Sequence, residues 1–305
     1  MNQTFIDPRI KHEIPQVYRN LGVTRGFDPP PPSMITMLLL GFSGSGKTTF
    51  VSSIPRALLL SFQDNGASSI IGPRADRLFV PDWGTYEKVA NQLRSDARAG
   101  KRLWDTIVFD TVDEWYNILA ERVVQIWNNR YNKKAESINE VGKEGRGFSD
   151  AASLLERELD SLKSVGYSWH LTGHLTEKRI NKGDEPTTVV RPVLTNSAFK
   201  VVIRKAYLKC EVTPFYVRKA DKVLTLPNGV EKTVKVDLNP SDWRTEFYLT
   251  IHSADALAEE ESKVRLPHLP DKILLPPHGA WDVFCQCWDE AVAKCRDDNE
   301  QITQS

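Results

Sequence analysis

The sequence predicts an α/β fold built on a mostly parallel sheet, because short apolar segments alternate with helix-like segments over the first 174 residues. Four segments have the apolar composition of strands buried on both faces: 34–40, 57–62, 106–110 and 167–174. The pattern changes after residue 175, where loop-like sequence precedes several shorter strand-like segments. The predicted architecture is therefore a parallel α/β core followed by a β-hairpin-rich extension.

The first 33 residues are irregular and end in four consecutive prolines, Pro29 to Pro32. Consecutive prolines exclude helix and favour an extended polyproline segment. We expect residues 1–33 to form an N-terminal arm, residues 34–210 the core, and residues 211–305 the β-rich extension with a C-terminal amphipathic helix.

Four helices are predicted in the core. The first begins at Lys47 and ends near Pro55, the second covers residues 85–100, and the fourth covers residues 151–166. The third follows residue 111, and helical spacing places one apolar face along it. That face consists of Val112, Trp115, Leu119, Val123 and Ile126.

In the extension, residues 181–197 are loop-like, residues 207–219 and 247–253 are strand-like, and a hairpin turns at residues 227–229. The final helix carries an apolar stripe of six side chains: Trp281, Phe284, Cys285, Trp288, Val292 and Cys295. Because Cys285 and Cys295 fall on this stripe, core packing explains them better than zinc binding does.

The composition gives no overall attraction to nucleic acid or membranes. The 305 residues include 40 Lys and Arg against 40 Asp and Glu, so any such attraction must come from local patches. No apolar run approaches a membrane span, the N-terminal residues lack a signal-peptide core, and the four cysteines form no CxxC pair. We expect a cytoplasmic protein in a reducing compartment, without membrane contact.

The segment GFSGSGKTTF, residues 41–50, follows the first apolar strand and opens the first helix. It matches the P-loop pattern, in which backbone N–H groups surround a β-phosphate and a lysine bridges the β- and γ-phosphates. The hydroxyl after that lysine is a ligand of Mg²⁺. The sequence therefore predicts an ATP–Mg²⁺ site. Its nucleotide-binding residues are Gly41, Ser43, Gly44, Ser45, Gly46, Lys47, Thr48 and Thr49.

A P-loop also needs a carboxylate at the end of a neighbouring strand to hold Mg²⁺. Asp110, which ends the apolar segment TIVFD, is the predicted partner of Thr48. Asp113 lies three residues further on and is the less favourable candidate. The structural alternative for Asp110 is a helix N-cap, a role for which Thr111 is equally suited.

Five segments resemble, in order, those of phage-encoded RecA-like ATPases: GFSGSGKTTF, ALLLSFQDNGASSI, TIVFDTVDEW, GKEGRGF and SWHLTGHLTEKR. The resemblance is to the Sak-type single-strand annealing ATPases and their relatives, and it covers residues 35–210, with a weaker likeness at 261–273. It implies a RecA-like core that binds ATP and acts on single-stranded DNA in recombination or annealing. It also implies a single-strand DNA-binding protein as partner, assembly into rings or filaments, and the host cytoplasm as location.

The resemblance assigns catalytic roles at three strand ends. Lys47 and Asp110 match the family, and His174 stands where relatives carry a polar sensor of the γ-phosphate or the attacking water; a histidine satisfied by backbone is the alternative. Relatives carry an acid after the second strand, and here its place falls to Gln63 or Asp64, with Asp64 favoured; a simple turn at residues 64–66 is the structural alternative. Because glutamine orients water without accepting its proton, hydrolysis is expected to be slow.

Two basic segments are candidates for DNA contact. Residues 196–222 hold seven Lys and Arg against two acids, with Tyr207, Phe215 and Tyr216 interleaved, as in grooves that follow phosphates and stack bases. The segment 175–197 follows the sensor strand, and in RecA-like proteins the equivalent loop faces DNA or a neighbouring subunit's γ-phosphate. An ordinary solvated surface is the alternative. The candidate residues are Lys178, Arg179, Arg191, Lys200, Arg204 and Lys205.

Residues 251–305 hold eleven Asp and Glu against five Lys and Arg, which favours a partner protein or a neighbouring subunit over DNA. Two other functions stay open. One is a small-molecule or nucleotide kinase with residues 140–150 as its lid, although that segment holds one arginine. The other is a nucleotide-holding assembly protein with little turnover, which the sequence at Gln63 and Asp64 favours.

Overall fold

The computed structural model describes residues 16–17, 29–63, 74–143, 145–182, 185–218, 222–225, 231–234, 243–251 and 266–304. Most of the predicted arm, Asp64 and the turn of the hairpin predicted at residues 227–229 lie outside these residues. The described end of the arm is extended at Pro31, with φ −61° and ψ 155°, as expected for a polyproline segment.

The described strands form one central sheet and a small second sheet. Their bounds are β1 Met37–Gly41, β2 Ala57–Ser61, β3 Asp76–Phe79, β4 Thr106–Asp110, β5 Ser168–Lys182, β6 Glu185–Pro192, β7 Leu208–Arg218, β8 Lys222–Thr225, β9 Glu231–Val234, β10 Trp243–Ile251 and β11 Lys272–Leu275. The order across the central sheet is β11-β10-β7-β1-β5-β4-β2-β3, and β8 pairs with β9 alone.

The centre of the sheet is parallel and its margin is antiparallel. The pairs from β7 through β1, β5, β4 and β2 to β3 are all parallel, whereas β10 and β11 add antiparallel strands. Strand β5 lies between β1 and β4, and its register places His174 beside Gly41. Because parallel strands end at the same edge, the ends of β1, β4 and β5 meet there.

Helices cover both faces of the sheet. Their bounds are α1 Lys47–Ser52, α2 Trp83–Arg98, α3 Val112–Tyr131, α4 Arg146–Ser164, α5 Asn196–Lys205 and α6 Ala280–Gln304, with 3-10 turns at Pro32–Met34 and Ile138–Glu140. Leu38 and Leu40 face a core formed with α2, α3, α4 and α5, whereas Met37 and Leu39 face a core formed with α1 and α6. The alternation along β1 therefore divides the interior into two cores.

The predicted fold class is confirmed: the fold is mixed α/β, with a mostly parallel sheet flanked by helices. All four predicted core strands and the helices between them are present. The stripe of the last helix is also confirmed, since Trp281, Phe284, Trp288 and Cys295 are buried and Cys285 and Val292 pack against the same core.

Several predicted elements differ in the structure. The segment 181–197, expected to be loop-like, contains β6, which pairs antiparallel with the second half of β5. This hairpin was missed because most of its described side chains are exposed and polar, so it lacks apolar alternation. Strands β3 and β11 and helix α5 were also missed, and Ile126, placed on the apolar face of α3, is 45% exposed.

The predicted boundary at residue 210 falls inside β7. Strand β7 pairs with β1 through residues 208–211 and with β10 through residues 210–218. The central sheet therefore continues beyond residue 210 into β10 and β11, because these strands use the free edge of β7. Among the described helices, none has the length and apolar character needed to cross a bilayer.

Candidate nucleotide-binding site

The P-loop connects β1 to α1 and depends on glycine for two different reasons. Gly46, the residue before α1, has φ 92°, a left-handed conformation that glycine adopts without steric cost. A Cβ on Gly41 would lie 2.4 Å from Ser45 Oγ and 2.7 Å from the Val212 carbonyl oxygen. The tight turn and the close approach explain why these positions hold glycine.

Lys47 crosses the P-loop. Its side chain is buried, and Nζ donates hydrogen bonds to the carbonyl oxygens of Gly41 and Phe42, both at 2.9 Å. Burial lowers the pKa of Lys47, while the nearby carboxylates of Asp110 and Asp113 oppose that shift. A phosphate oxygen would offer this ammonium a charged acceptor in place of neutral carbonyls.

Asp110 ends β4 and faces the P-loop helix. Its Oδ2 accepts a hydrogen bond from Thr48 Oγ1 at 3.0 Å, and its Oδ1 accepts one from Thr172 Oγ1. The N-cap of α3 is Thr111, whose side chain makes no capping hydrogen bond, so the structure does not use Asp110 as the helix cap. The adjacent hydroxyl and carboxylate oxygens are the hard ligands that Mg²⁺ prefers, and this pair fits that ion.

His174 stands at the point where β5 leaves the parallel sheet. Its backbone N–H donates to Oδ2 of Asp113 at 2.9 Å, and its ring Nδ1 lies 2.9 Å from the same oxygen. The hydrogen-bond partner of the His174 ring is therefore a carboxylate rather than a backbone group. Sequence reasoning weighed Asp113 only as a magnesium ligand and missed Thr172, which lies two residues before His174 on the same face of β5.

The site has an acid that sequence reasoning did not assign. Gln63, two residues beyond β2, donates from Nε2 to Glu114 Oε1 at 2.9 Å. Glu114 is half-buried in the first turn of α3, and Asn117 Nδ2 lies 3.4 Å from its other oxygen. The favoured candidate, Asp64, lies outside the described residues. A carboxylate thus contacts Gln63 even though it comes from α3 rather than from the segment after β2.

Residues 33–223 match a family model described as an AAA domain, which covers more than half of the chain. The chain belongs to this AAA domain family. Its P-loop site is therefore the nucleotide-binding site of a P-loop ATPase family, whose members use ATP and Mg²⁺.

The chain is similar to two other proteins. The "SPbeta prophage-derived uncharacterized protein YorG" of Bacillus subtilis (strain 168) is 27% identical over 166 residues, which cover 52% of this chain and 47% of that protein. The AAA-domain chain thus spans about half the length of this curated relative. The KaiC-like protein PH0186 of Pyrococcus horikoshii OT3 aligns over 81% of this chain and 88% of its own, with 14% identity and a TM-score of 0.35.

The six candidate residues for DNA contact in this AAA-domain chain fall into two groups, one on the β5–β6 hairpin and one on α5. Lys178, Arg179 and Arg191 are exposed on the β5–β6 hairpin, and the register places Arg191 opposite Thr176. Directly opposite residues share a face and strand faces alternate, so Lys178 and Arg191 share one face. Arg179, opposite Thr188, points to the other face. The hairpin therefore presents cations on both sides.

The cations of α5 lie beside acids of α4. Arg204 Nη2 lies 2.8 Å from Glu156 Oε1, and Lys205 Nζ lies 2.6 Å from Asp160 Oδ2. The Lys205 ammonium beside Glu156 lowers the pKa of that carboxyl. Lys200 is exposed on the same helix. Arg204 and Lys205 are thus ion-paired within the protein, because α5 packs along α4, and only a tertiary contact reveals this.

Proposed function

We propose that this chain is an ATPase that acts on single-stranded DNA in recombination or annealing, with turnover stimulated by DNA. The observation that carries the ATPase part is the grouping of Lys47, Thr48, Asp110 and His174 at one edge of the sheet. The resemblance to Sak-type annealing ATPases supports the DNA part. The prophage origin in the name of the Bacillus relative supports a phage origin for this chain.

Nucleotide binding follows from the P-loop and its neighbours. In a P-loop the backbone N–H groups that open the following helix bind phosphate oxygens, and the helix N-terminus favours the negative charge there. Lys47 would neutralise charge on the β- and γ-phosphates, and Thr48 with Asp110 would hold Mg²⁺. The ion supplies electrostatic stabilisation of the developing charge. Ser45 Oγ is buried and has no hydrogen-bond partner among the described residues, which gives the loop one further hydroxyl donor.

Water positioning is assigned to Gln63 with Glu114. The Gln63 amide can orient a water molecule, and Glu114, hydrogen-bonded to that amide, supplies the negative charge that glutamine lacks. Asp64 stays an alternative source of the carboxylate. A base held through a second residue acts less directly than an acid at the strand end, so slow basal hydrolysis is expected.

DNA contact is assigned to the β5–β6 hairpin. Lys178 and Arg191 share a face of the hairpin; Lys178 lies on β5, the strand that carries His174, and Arg191 lies on β6, its partner strand. Neither cation has an ion-pair partner among the described residues, so both can exchange bound counterions for DNA phosphates. Arg204 and Lys205 are assigned a lesser role, because contact with DNA would compete with Glu156 and Asp160. Assembly into a ring or filament, and a single-strand DNA-binding protein as partner, belong to the same proposal.

A nucleotide-holding assembly protein with little turnover is the second candidate, and Gln63 in place of an acid favours it. A kinase is not favoured by the segment 140–150. Val141 is buried there, and the Gly147 N–H donates to the Val141 carbonyl oxygen at 3.2 Å, so this segment is held against the start of α4 rather than free as a lid.

The test is ATP hydrolysis with and without single-stranded DNA, together with DNA retention with and without ATP. The proposed function predicts that DNA raises turnover and that retention weakens as salt increases. Turnover that DNA leaves unchanged, with nucleotide bound tightly, would support the holding protein. Absence of DNA binding at low salt under every nucleotide condition would overturn the DNA role.

A further inference from the structure

Among the described residues of the site, Asp113 is the only one whose carboxylate contacts His174. The same oxygen, Oδ2, receives both the backbone N–H and ring Nδ1 of His174, each at 2.9 Å. Asp113 is 7% exposed, and the side chain of His174 is 27% exposed. A buried acceptor therefore holds a residue whose ring is still open to solvent on one side.

The surroundings fix this carboxylate in place. Asp113 lies in the first turn of α3, where the helix dipole stabilises a negative charge. Its second oxygen, Oδ1, is buried and has no hydrogen-bond partner among the described residues. A Cβ on Gly173 would lie 3.5 Å from Oδ1, 3.4 Å from Val112 Cγ1 and 3.0 Å from Leu40 Cδ2. Glycine at 173 thus allows the start of α3 to pack close to the end of β5.

Two parallel contacts join α3 and β5 at this edge. Thr172 donates to Asp110, and two residues further along the strand His174 donates to Asp113, three residues beyond Asp110. Both carboxylates also act on the pKa of Lys47, so both lie within electrostatic reach of the phosphate position. The first contact orients the magnesium carboxylate, and the second orients the histidine.

The contact has a chemical consequence for the ring. An unprotonated carboxylate only accepts hydrogen bonds, so a ring nitrogen 2.9 Å away must carry a hydrogen. The hydrogen of a neutral ring is then on Nδ1, and Nε2 keeps its lone pair. In the described part of the chain Nε2 has no hydrogen-bond partner, so it is the atom that remains for water or phosphate.

We propose that Asp113 is a positioning residue for turnover: it fixes the tautomer and direction of the His174 ring so that Nε2 faces the nucleotide. This role rests on the proposed ATPase function. In this role Asp113 acts on turnover through the His174 ring rather than through contact with nucleotide or metal.

The first experiment reads the ring directly, in full-length protein with ¹⁵N-labelled histidine. Long-range proton–nitrogen spectra distinguish a protonated Nδ1 from an unprotonated one, and His174→Gln identifies the signals by their loss. We expect Nδ1 to be protonated in the wild type and a mixed or reversed pattern in Asp113→Ala. A wild-type Nδ1 without hydrogen, or a pattern that Asp113→Ala leaves unchanged, overturns the proposal.

The second experiment measures turnover and nucleotide affinity separately. Asp113→Ala is expected to lower kcat about 10- to 100-fold, as for carboxylates that orient functional histidines, while the Kd for a non-hydrolysable ATP analogue changes little. Asp113→Asn keeps an oxygen that accepts both N–H groups, so it should retain most of kcat. The double variant Asp113→Ala/His174→Gln should be no slower than His174→Gln, and multiplicative losses would contradict action through His174.

A matched control comes from another buried acid. Glu158 is 6% exposed and accepts from Tyr86 and Arg94, away from the P-loop. Glu158→Gln should leave both kcat and the His174 signals unchanged, and an equal loss of kcat there would assign the Asp113 effect to general destabilisation. If the wild type hydrolyses no ATP, the proposed function fails, while the ring spectra still test Asp113.

Discussion

The interior and the carboxyl end of β5 each carry a histidine, and the two residues have opposite surroundings. His170 lies opposite Met37 and Val108 in the centre of the sheet, fully buried, with its ring 5.5 Å from that of Trp281. Neither ring nitrogen of His170 has a hydrogen-bond partner within the described residues. His174, four residues later on the same face, is partly exposed and held by Asp113.

The difference shows what makes a histidine useful for function in this fold. Burial lowers the pKa of His170 to about 4, with the Ile35 backbone opposing part of that shift, so its ring stays neutral and serves packing. His174 has reached the edge where strand ends, a helix N-terminus and the P-loop meet. Substitutions at the edge should therefore change activity, and substitutions in the strand interior should change stability.

The largest expected effect is at the edge. Lys47→Ala should lower turnover on the order of 10²- to 10³-fold, because a preorganised charge at the phosphate position is lost. Nucleotide affinity, measured by calorimetry, should fall as well, while the melting temperature stays close to that of the wild type. The control is Lys101→Ala, an exposed lysine before β4. Unchanged turnover in Lys47→Ala would remove the P-loop from the mechanism.

The strand interior gives the next effect, which is on the pH dependence of stability. Between pH 6.5 and about 4 the unfolded chain binds a proton at His170 that the folded protein does not, so the free energy of unfolding falls as pH falls. The slope is about 1.4 kcal/mol per pH unit, or roughly 2 kcal/mol between pH 6.5 and 5. Above pH 6.5 this contribution is constant.

In the His170→Leu variant, the unfolded chain can no longer bind a proton at this position. Urea unfolding at pH 7.5 and pH 5.0 should show that His170→Leu loses about 2 kcal/mol less than the wild type on acidification. His278→Leu, at an exposed position, is the control and should behave as the wild type. Equal losses in His170→Leu and the wild type would mean that the buried ring is protonated in the folded protein.

A smaller effect separates the candidates for water positioning. Glu114→Gln and Gln63→Ala should each lower turnover by about tenfold, at the low end of the range for a positioned acid–base group, with nucleotide affinity unchanged. Asp64→Asn, measured separately, tests the alternative acid. Glu121→Gln, on an exposed position of the same helix, is the control. If none of the three variants lowers turnover, the water is positioned by other residues.

The smallest effect compares two basic surfaces. Lys178→Ala/Arg191→Ala should weaken binding to single-stranded DNA several-fold and reduce the salt slope by about 1.4, which corresponds to two phosphate contacts. Arg204→Ala/Lys205→Ala should leave DNA affinity nearly unchanged and cost at most about 1 kcal/mol of stability, because exposed ion pairs contribute little. Both variants are compared by filter binding across a salt series. If Arg204→Ala/Lys205→Ala weakens DNA binding more than Lys178→Ala/Arg191→Ala does, the DNA-contacting surface is α5 rather than the hairpin.

The sequence alone determined the elements whose signals are local. The apolar runs of β1, β2, β4 and the first half of β5 are readable because strands buried on both faces need no alternation. The P-loop is readable because its glycines, lysine and threonine are close together in the sequence. Asp110 is readable because it ends β4, the third buried strand along the chain. The stripe of α6 is readable because helical spacing repeats within one segment.

Only the tertiary structure decided the contacts between distant segments. Asp113 and His174 are 61 residues apart, and Gln63 and Glu114 are 51 apart, so no local pattern links them. The order of the strands, with β5 between β1 and β4, brings these residues to one edge. The pairing of α5 with α4 neutralises Arg204 and Lys205, two cations that the sequence suggested for DNA contact, because charge balance in space depends on packing rather than on order along the chain.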